Sequence, residues 1–190
     1  MTDTRQRRAR GQGERLRAEL VAAAIELLLE PQALPTPSLR AIARACGVAP
    51  SAVYMHFPSQ DALNYAVTEE LFGRLRHALD AAAPADGTRA DRLRSLVDAY
   101  LTWAENHPGA YQLLFERPDP PIESGTGPGL DLLDRLADLL PAEKSPDLAL
   151  RVWCALHGVV SLRIHKPTAP WISEPRTDAW AVVAALADLP

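Results

Sequence analysis

Apolar positions recur along this chain at intervals of three and four, the period of helices packed on one side, and alternation at period two is nowhere sustained. From about Glu14 to Glu30, Leu16, Leu20, Ala24, Leu27 and Leu28 fall on one helical face, and Pro31 and Pro35 end the run because proline lacks an amide hydrogen and crowds the preceding turn. Ser38 is a good N-cap for a second helix, whose stripe of Leu39, Ile42, Ala43 and Cys46 stops at Gly47, a natural residue just past a helix end. Pro50 suits the first turn of a third helix carrying Val53, Tyr54 and Phe57. It ends near Pro58, since the residue before a proline disfavours helical geometry.

Ser59 caps a fourth, longer helix with Asp61 in its first turn, where a carboxylate meets the positive end of the helix dipole. Leu63, Val67, Leu71, Leu75 and Leu79 repeat every four residues and carry it to about Ala82. After a turn at 83–87, helices are expected at about Arg89–Asn106, Pro108–Glu116, Gly129–Leu140, Asp147–Lys166 and Glu174–Ala187. Between them RPDPPIESGTGP, residues 117–128, holds too much proline and glycine to be helical and reads as a mobile loop. The expected fold class is therefore all-α: an N-terminal three-helix bundle followed by a larger helical region. No internal repeat is visible.

Composition sharpens this picture in one respect. The 190 residues carry a net charge of −4, yet residues 1–60 hold eight Arg against five acids, net +3. Arg5, Arg7, Arg8, Arg10, Arg15 and Arg17 stand against only Asp3 and Glu14, as suits a basic arm that touches a polyanion; a solvated tail is the other reading. Two cysteines, Cys46 and Cys154, are too few and too far apart for a disulfide framework or a paired zinc site, which points to a reducing compartment. No apolar run approaches the roughly 18 residues of a membrane span. The expectation is a soluble, cytoplasmic protein with no cofactor.

Two short helices joined by a tight glycine turn match a helix-turn-helix, in which the second helix enters the major groove of DNA and the first crosses the backbone. The segment SLRAIARACGVAPSAVYMHFPSQDAL, residues 38–63, resembles the DNA-binding signature of the tetracycline-repressor (TetR) family. The resemblance rests on several coincident constraints: the cap at Ser38, the stripe Leu39, Ile42 and Ala43, the pair Gly47-Val48, Tyr54, Phe57 and the second cap at Ser59. It implies a flexible basic arm at 1–13, a DNA-binding domain at 14–58 and a ligand-binding and dimerisation domain at 59–190.

By that similarity residues 49–56 lie in the major groove, and the DNA-facing set is Ser38, Arg40, Ser51, Ala52, Tyr54, Met55, His56 and Gln60. Tyr54 and His56 sit where the family commonly donates to phosphate, which fixes register without reading sequence. Ala52 and Met55 offer apolar contact to a thymine methyl, and Ser51 a hydrogen bond to base or phosphate. Arg40 and Arg44 are further phosphate candidates, with a solvated face as the alternative. Gln60 departs from the pattern: the family often has lysine there, paired with phosphate. With Gln60 the salt dependence of binding is expected to be flatter, and Gln60→Lys to steepen it.

Further along, Trp-Cys-Ala-Leu-His-Gly at 153–158 resembles the Trp-His-Gly pattern of one C-terminal subtype of the family, and WAENHPGAYQLLFERP at 103–118 is similar to its context. The resemblance makes Tyr100, Trp103, Tyr111, Phe115, Trp153 and His157 candidates for a ligand pocket, although aromatic residues at helical spacing are more often core. It also implies a homodimer built from the last two long helices, with Gly158, Val159, Leu162, Trp180, Val183 and Ala184 as interface candidates. The implied function is a ligand-responsive repressor that binds a palindromic operator as a dimer and is released by a small apolar or amphipathic effector. The alternative is a helical dimeric ligand-binding protein without specific DNA recognition. An enzyme is disfavoured: Cys154 and His157 lie at i and i+3, but no third ligand, orienting acid or phosphate loop accompanies them. A redox sensor acting through Cys46 has little support, because a structural thiol is the usual outcome.

Overall fold

The computed structural model describes residues 2–28, 37–84, 86–116, 129–141 and 145–189, and among these there are nine helices and no strand. They are α1 (Thr2–Glu26), α2 (Leu39–Ala45), α3 (Pro50–His56), α4 (Gln60–Ala82), α5 (Arg89–Asn106), α6 (Pro108–Phe115), α7 (Leu130–Asp138), α8 (Ser145–His165) and α9 (Pro175–Ala187). The all-α expectation therefore holds. No helix among the described residues is long and apolar enough to cross a membrane. The loop expected at 117–128 lies outside the described residues, as do the side chains of Arg5, Arg7, Arg8 and Arg10.

The chain forms two compact units, Met1–Leu71 with His107–Arg117, and Phe72–Asn106 with Pro118–Pro190. The division between the two falls inside α4.

In the first unit α1, α2 and α3 pack on one another, with Leu20, Val21, Ala24, Ile25, Ile42 and Val53 in the core. α1 begins twelve residues before the expected Glu14; residues 2–13 hold four Arg and two Gln, good helix formers that carry no apolar period. It ends at Glu26, and the turn that follows buries Leu28 but leaves Leu27 exposed, which removes Leu27 from the expected stripe.

α2 is capped at both ends. The Ser38 hydroxyl accepts the Ala41 N–H at 3.2 Å. At the far end Gly47 has φ +65°, its N–H donates to Arg44 O, and the Val48 N–H donates to Ala43 O at 3.0 Å. This is the left-handed glycine stop that lets the chain reverse tightly into α3. α3 has Pro50 in its first turn and ends at Phe57, extended as the residue before Pro58 must be.

The second unit packs α8 against α7, α9 and α5, and α9 against α5. Its core includes Leu75, Leu93, Val97, Leu101, Leu140, Val152 and Leu156. Gly129 begins α7 with φ +93°, and a Cβ there would fall within 3.0 Å of the Phe72 ring, so both backbone and space require glycine. α4 and α7 are joined at the surface by Arg76 with Asp131 (3.2 Å) and Arg135 with Asp80. Arg163 of α8 organises the connection to α9: it donates to Asp178 at 2.8 Å and to the Ser173 carbonyl, and lies over the Trp171 ring at 4.1 Å.

Candidate nucleic-acid interface

A seven-residue helix has few turns with which to bury apolar surface, and α3 buries only Val53 within its span. Val53 and Phe57, four residues apart on one face, anchor it. Phe57 is buried at the end of α3, with the Arg17 guanidinium of α1 over its ring at 5.1 Å. The other side of α3 is left to solvent. Met55 is 86% exposed and Tyr54 50% exposed, Ser51 is exposed and Ala52 half-buried. His56 is half-buried, with its ring beside Gly13 of α1.

A helix held at one face by α1 and α2, and presenting Ser51, Tyr54 and Met55 on the other, has the form of a reading head. Tyrosine and histidine donate to phosphate, methionine gives an apolar face for a thymine methyl, and serine adapts to base or backbone. Arg40 and Arg44 are exposed on α2, and Arg44 lies in its last turn, where a cation also complements the helix dipole.

Two members of the expected set have internal partners. Ser38 caps α2 as described. Gln60, at the start of α4, is half-buried: its amide nitrogen donates to Pro37 O at 3.0 Å and to Asn64 Oδ1 at 3.1 Å, and its oxygen accepts the Leu39 N–H at 3.3 Å. Sequence reasoning did not find these bonds, two of which, to Pro37 and Leu39, join residues more than twenty positions apart. Cys46 is also internal in character. Its thiol reaches Glu19 O at 3.7 Å, and burial, followed by the nearby Glu19 carboxylate, pushes its pKa up. A thiol held protonated in this way is a poor redox sensor.

The six aromatic ligand candidates divide between the units. Tyr111 is buried in the first unit, 5.0 Å from Phe115 between ring centres. Tyr100 and Trp103 are buried on α5 of the second. Trp153 and His157, one turn apart on α8, are half-buried with ring centres 6.0 Å apart. The second unit has a cavity of about 230 Å³ lined by Leu101, Glu105, Val159, Val160, Arg163, Ile164 and Pro175, which includes none of the six. The run Val159 to Ile164 carried no sequence signal of a cavity.

Of the interface candidates, Val183 and Ala184 are buried within the second unit itself, because α9 turns this side to its own core. Trp180 lies under Arg94 at 5.1 Å. Leu162 is exposed, as are Leu150 of α8 and Val182 of α9, which the sequence reading did not select. A Cβ added at Gly158 would meet nothing within 4 Å, so no neighbour within the protomer requires glycine there. Cys154 is exposed, and no group of three His, Cys, Asp or Glu side chains among the described residues is placed to hold a metal ion.

Two family models match the chain: "Bacterial regulatory proteins, tetR family" over residues 20–67 and "Tetracyclin repressor-like, C-terminal domain" over residues 93–186. Among solved structures, a protein of unknown function from Rhodococcus sp. RHA1 is similar at 24% identity and TM-score 0.75, covering 91% of this chain and 94% of that one. A tetR-family transcriptional regulator from Streptomyces coelicolor is 18% identical with TM-score 0.67, covering 92% and 80%. A putative tetR-family regulator from Shewanella sp. PV-4 is 19% identical with TM-score 0.63, covering 88% and 95%. With a family helix-turn-helix domain at its N-terminal side and a repressor-like helical domain after it, the chain belongs to the TetR family of DNA-binding transcriptional regulators.

Proposed function

We propose that this protein is a ligand-responsive repressor that occupies a palindromic operator as a homodimer in the cytoplasm and leaves it when a small apolar or amphipathic effector binds. The observation that carries the reading is α3: a short helix fixed by Val53 and Phe57 whose exposed side is Ser51, Tyr54 and Met55. Tyr54, His56 and Arg40 bind phosphate, while Ser51, Ala52 and Met55 meet base edges. Residues 14–58 are the DNA-binding domain, 1–13 a basic arm that adds phosphate contacts, and 59–190 the effector and dimer half.

The dimer face is drawn from α8 and α9, where Gly158, Val159 and Leu162 are joined by the exposed Leu150 and Val182. Two recognition helices are needed to span half-sites about 34–36 Å apart. The effector site uses the aromatic residues of α5 and α8, with Trp153, His157 and Gly158 as the elements of the Trp-His-Gly subtype. Effector binding works by population shift: a ligand that prefers the state with wrongly spaced recognition helices weakens DNA binding by its differential affinity, and DNA weakens ligand binding in return.

The test is fluorescence anisotropy of the full chain on DNA from upstream of its own gene against a scrambled duplex, at two salt concentrations. Tight, selective and salt-sensitive binding is expected. Equal weak binding to both DNAs, repeated on fragments selected genome-wide, would instead identify a ligand-binding dimer without specific DNA recognition.

A further inference from the structure

A helix leaves its first four backbone amides without partners inside the helix, and each end must find them elsewhere. In α2 two of these are met by different side chains. Ser38 takes the Ala41 N–H locally. The Leu39 N–H is taken by Gln60, from the first residue of another helix. The same amide group donates to the carbonyl of Pro37 and to Asn64 Oδ1, so both of its hydrogens and its oxygen are engaged at once.

From this geometry we infer that Gln60 is a positioning residue for DNA binding: its amide clasps the start of α2 to the start of α4 and thereby sets the angle at which α3 is presented. The inference rests on α3 being the DNA-contacting helix. The clasp needs one acceptor and one donor on the same planar group at this side-chain length. Lysine donates to Pro37 O but has no acceptor for Leu39, and a carboxylate accepts from Leu39 but repels the Pro37 carbonyl. With α2 held at its beginning by Gln60 and at its end by the Gly47 turn into α3, the recognition helix has two fixed references. The first residue of α4 is one of them. Motion of this end of α4 is thus passed to α2 and α3 through hydrogen bonds, in addition to the chain through Pro58. Gln60 serves DNA affinity through this geometry, and its hydrogens are directed inward.

The experiment compares full-length wild type with Gln60→Met and Gln60→Glu in two arms. Without DNA, Leu39 amide exchange and thermal stability are followed at pH 8 and pH 5. With DNA, affinity for the preferred and scrambled duplexes is measured at both pH values. Gln60→Met should speed Leu39 exchange and lower affinity for the preferred duplex about fivefold to tenfold, the net worth of one or two hydrogen bonds. Gln60→Glu should match Gln60→Met at pH 8, and any recovery at pH 5 without DNA should track the fraction of the carboxyl that is protonated, because only the protonated form both donates to Pro37 O and accepts from Leu39.

Loss of affinity with Leu39 exchange and stability unchanged would mean that Gln60 touches DNA directly, and would overturn the inference. Faster Leu39 exchange with affinity intact would overturn it too, by showing a clasp that positions nothing. A wild-type protein that prefers no duplex would remove the regulator reading and the positioning role together, while the DNA-free arm would still report whether the clasp exists.

Discussion

The two units leave apolar side chains in solvent in different ways. In the first, Tyr54 and Met55 stand together on one short helix that is pinned through Val53 and Phe57, within the net-basic part of the chain, and Leu27 and Tyr65 are exposed singly on other helices or turns. In the second, Leu150, Leu162 and Val182 are spread along two longer helices, and Trp171 and Ile172 sit in the connection between them. The connection is held in place by Arg163 and by the Trp171 indole N–H, which donates to Lys166 O at 2.9 Å. A compact head with a tyrosine and few apolar groups suits a charged, hydrated partner. A dispersed apolar face on long helices suits a second protein surface. The contrast teaches that the two units differ in how their exposed apolar residues are distributed, paired on a short helix in one and spread along long helices in the other.

The comparison is most strongly tested by removing the anchors. Phe57→Ala should cost about 3–5 kcal/mol in urea unfolding and abolish DNA binding, since α3 loses its buried end. Trp103→Ala, a buried ring in the other unit, should cost a similar amount of stability. If either variant unfolds no more easily than wild type, the packing assigned to that unit is wrong.

Gly129→Ala should cost about 1–3 kcal/mol, from a strained backbone and a clash with Phe72, in the second unit. Tyr54→Ala should lower DNA affinity about tenfold while stability stays within about 0.5 kcal/mol, because surface substitutions perturb folding little. A thermal shift comparable to that of Phe57→Ala would show Tyr54 to be a structural residue. For the second unit the matching case is Trp153→Ala, expected to blunt the effector response and spare DNA affinity in the effector-free protein.

The smallest effect lies at the start of α5. Thr88 and Asp91 cap each other: the Asp91 N–H donates to the Thr88 hydroxyl at 3.1 Å, and Asp91 accepts from both the Thr88 hydroxyl and its N–H. The Thr88 hydroxyl bond, then its amide, hold the Asp91 carboxyl below the usual carboxylate range. The cap is therefore complete at neutral pH and is lost as pH falls through that lowered value. Protection of the Thr88 amide from exchange should fall in acid in wild type and be low at every pH in Asp91→Ala.

The first unit was legible because its boundaries are written in side chains with local meaning: Ser38, Gly47, Pro50, Pro58 and Ser59 each start or stop a helix without help from distant residues. The extension of α1 to Thr2 was hidden, since residues 2–13 have helix formers but no apolar stripe. The face of α9 was hidden for the opposite reason. Ala181 to Leu186 is apolar all round, so only packing against α5 and α8 decides that Val183 is buried and Val182 is not. Of the expected DNA-facing set, Ser51, Tyr54 and Met55 lie exposed on α3. The bonds of Gln60 to Pro37 and Leu39 were not legible because these residues become neighbours only after folding.

The place of α6 has a consequence for how such proteins are made and recombined. Residues of the first unit are interrupted by α5 and resumed at α6, whose Tyr111 is wholly buried. A ribosome that has released the helix-turn-helix has therefore not yet released everything its unit contains, and completion waits until α6 emerges. The same interruption limits exchange by gene fusion. A crossover just after Pro58 would carry α1, α2 and α3 into a new protein without the α6 segment that shares their compact unit in this chain.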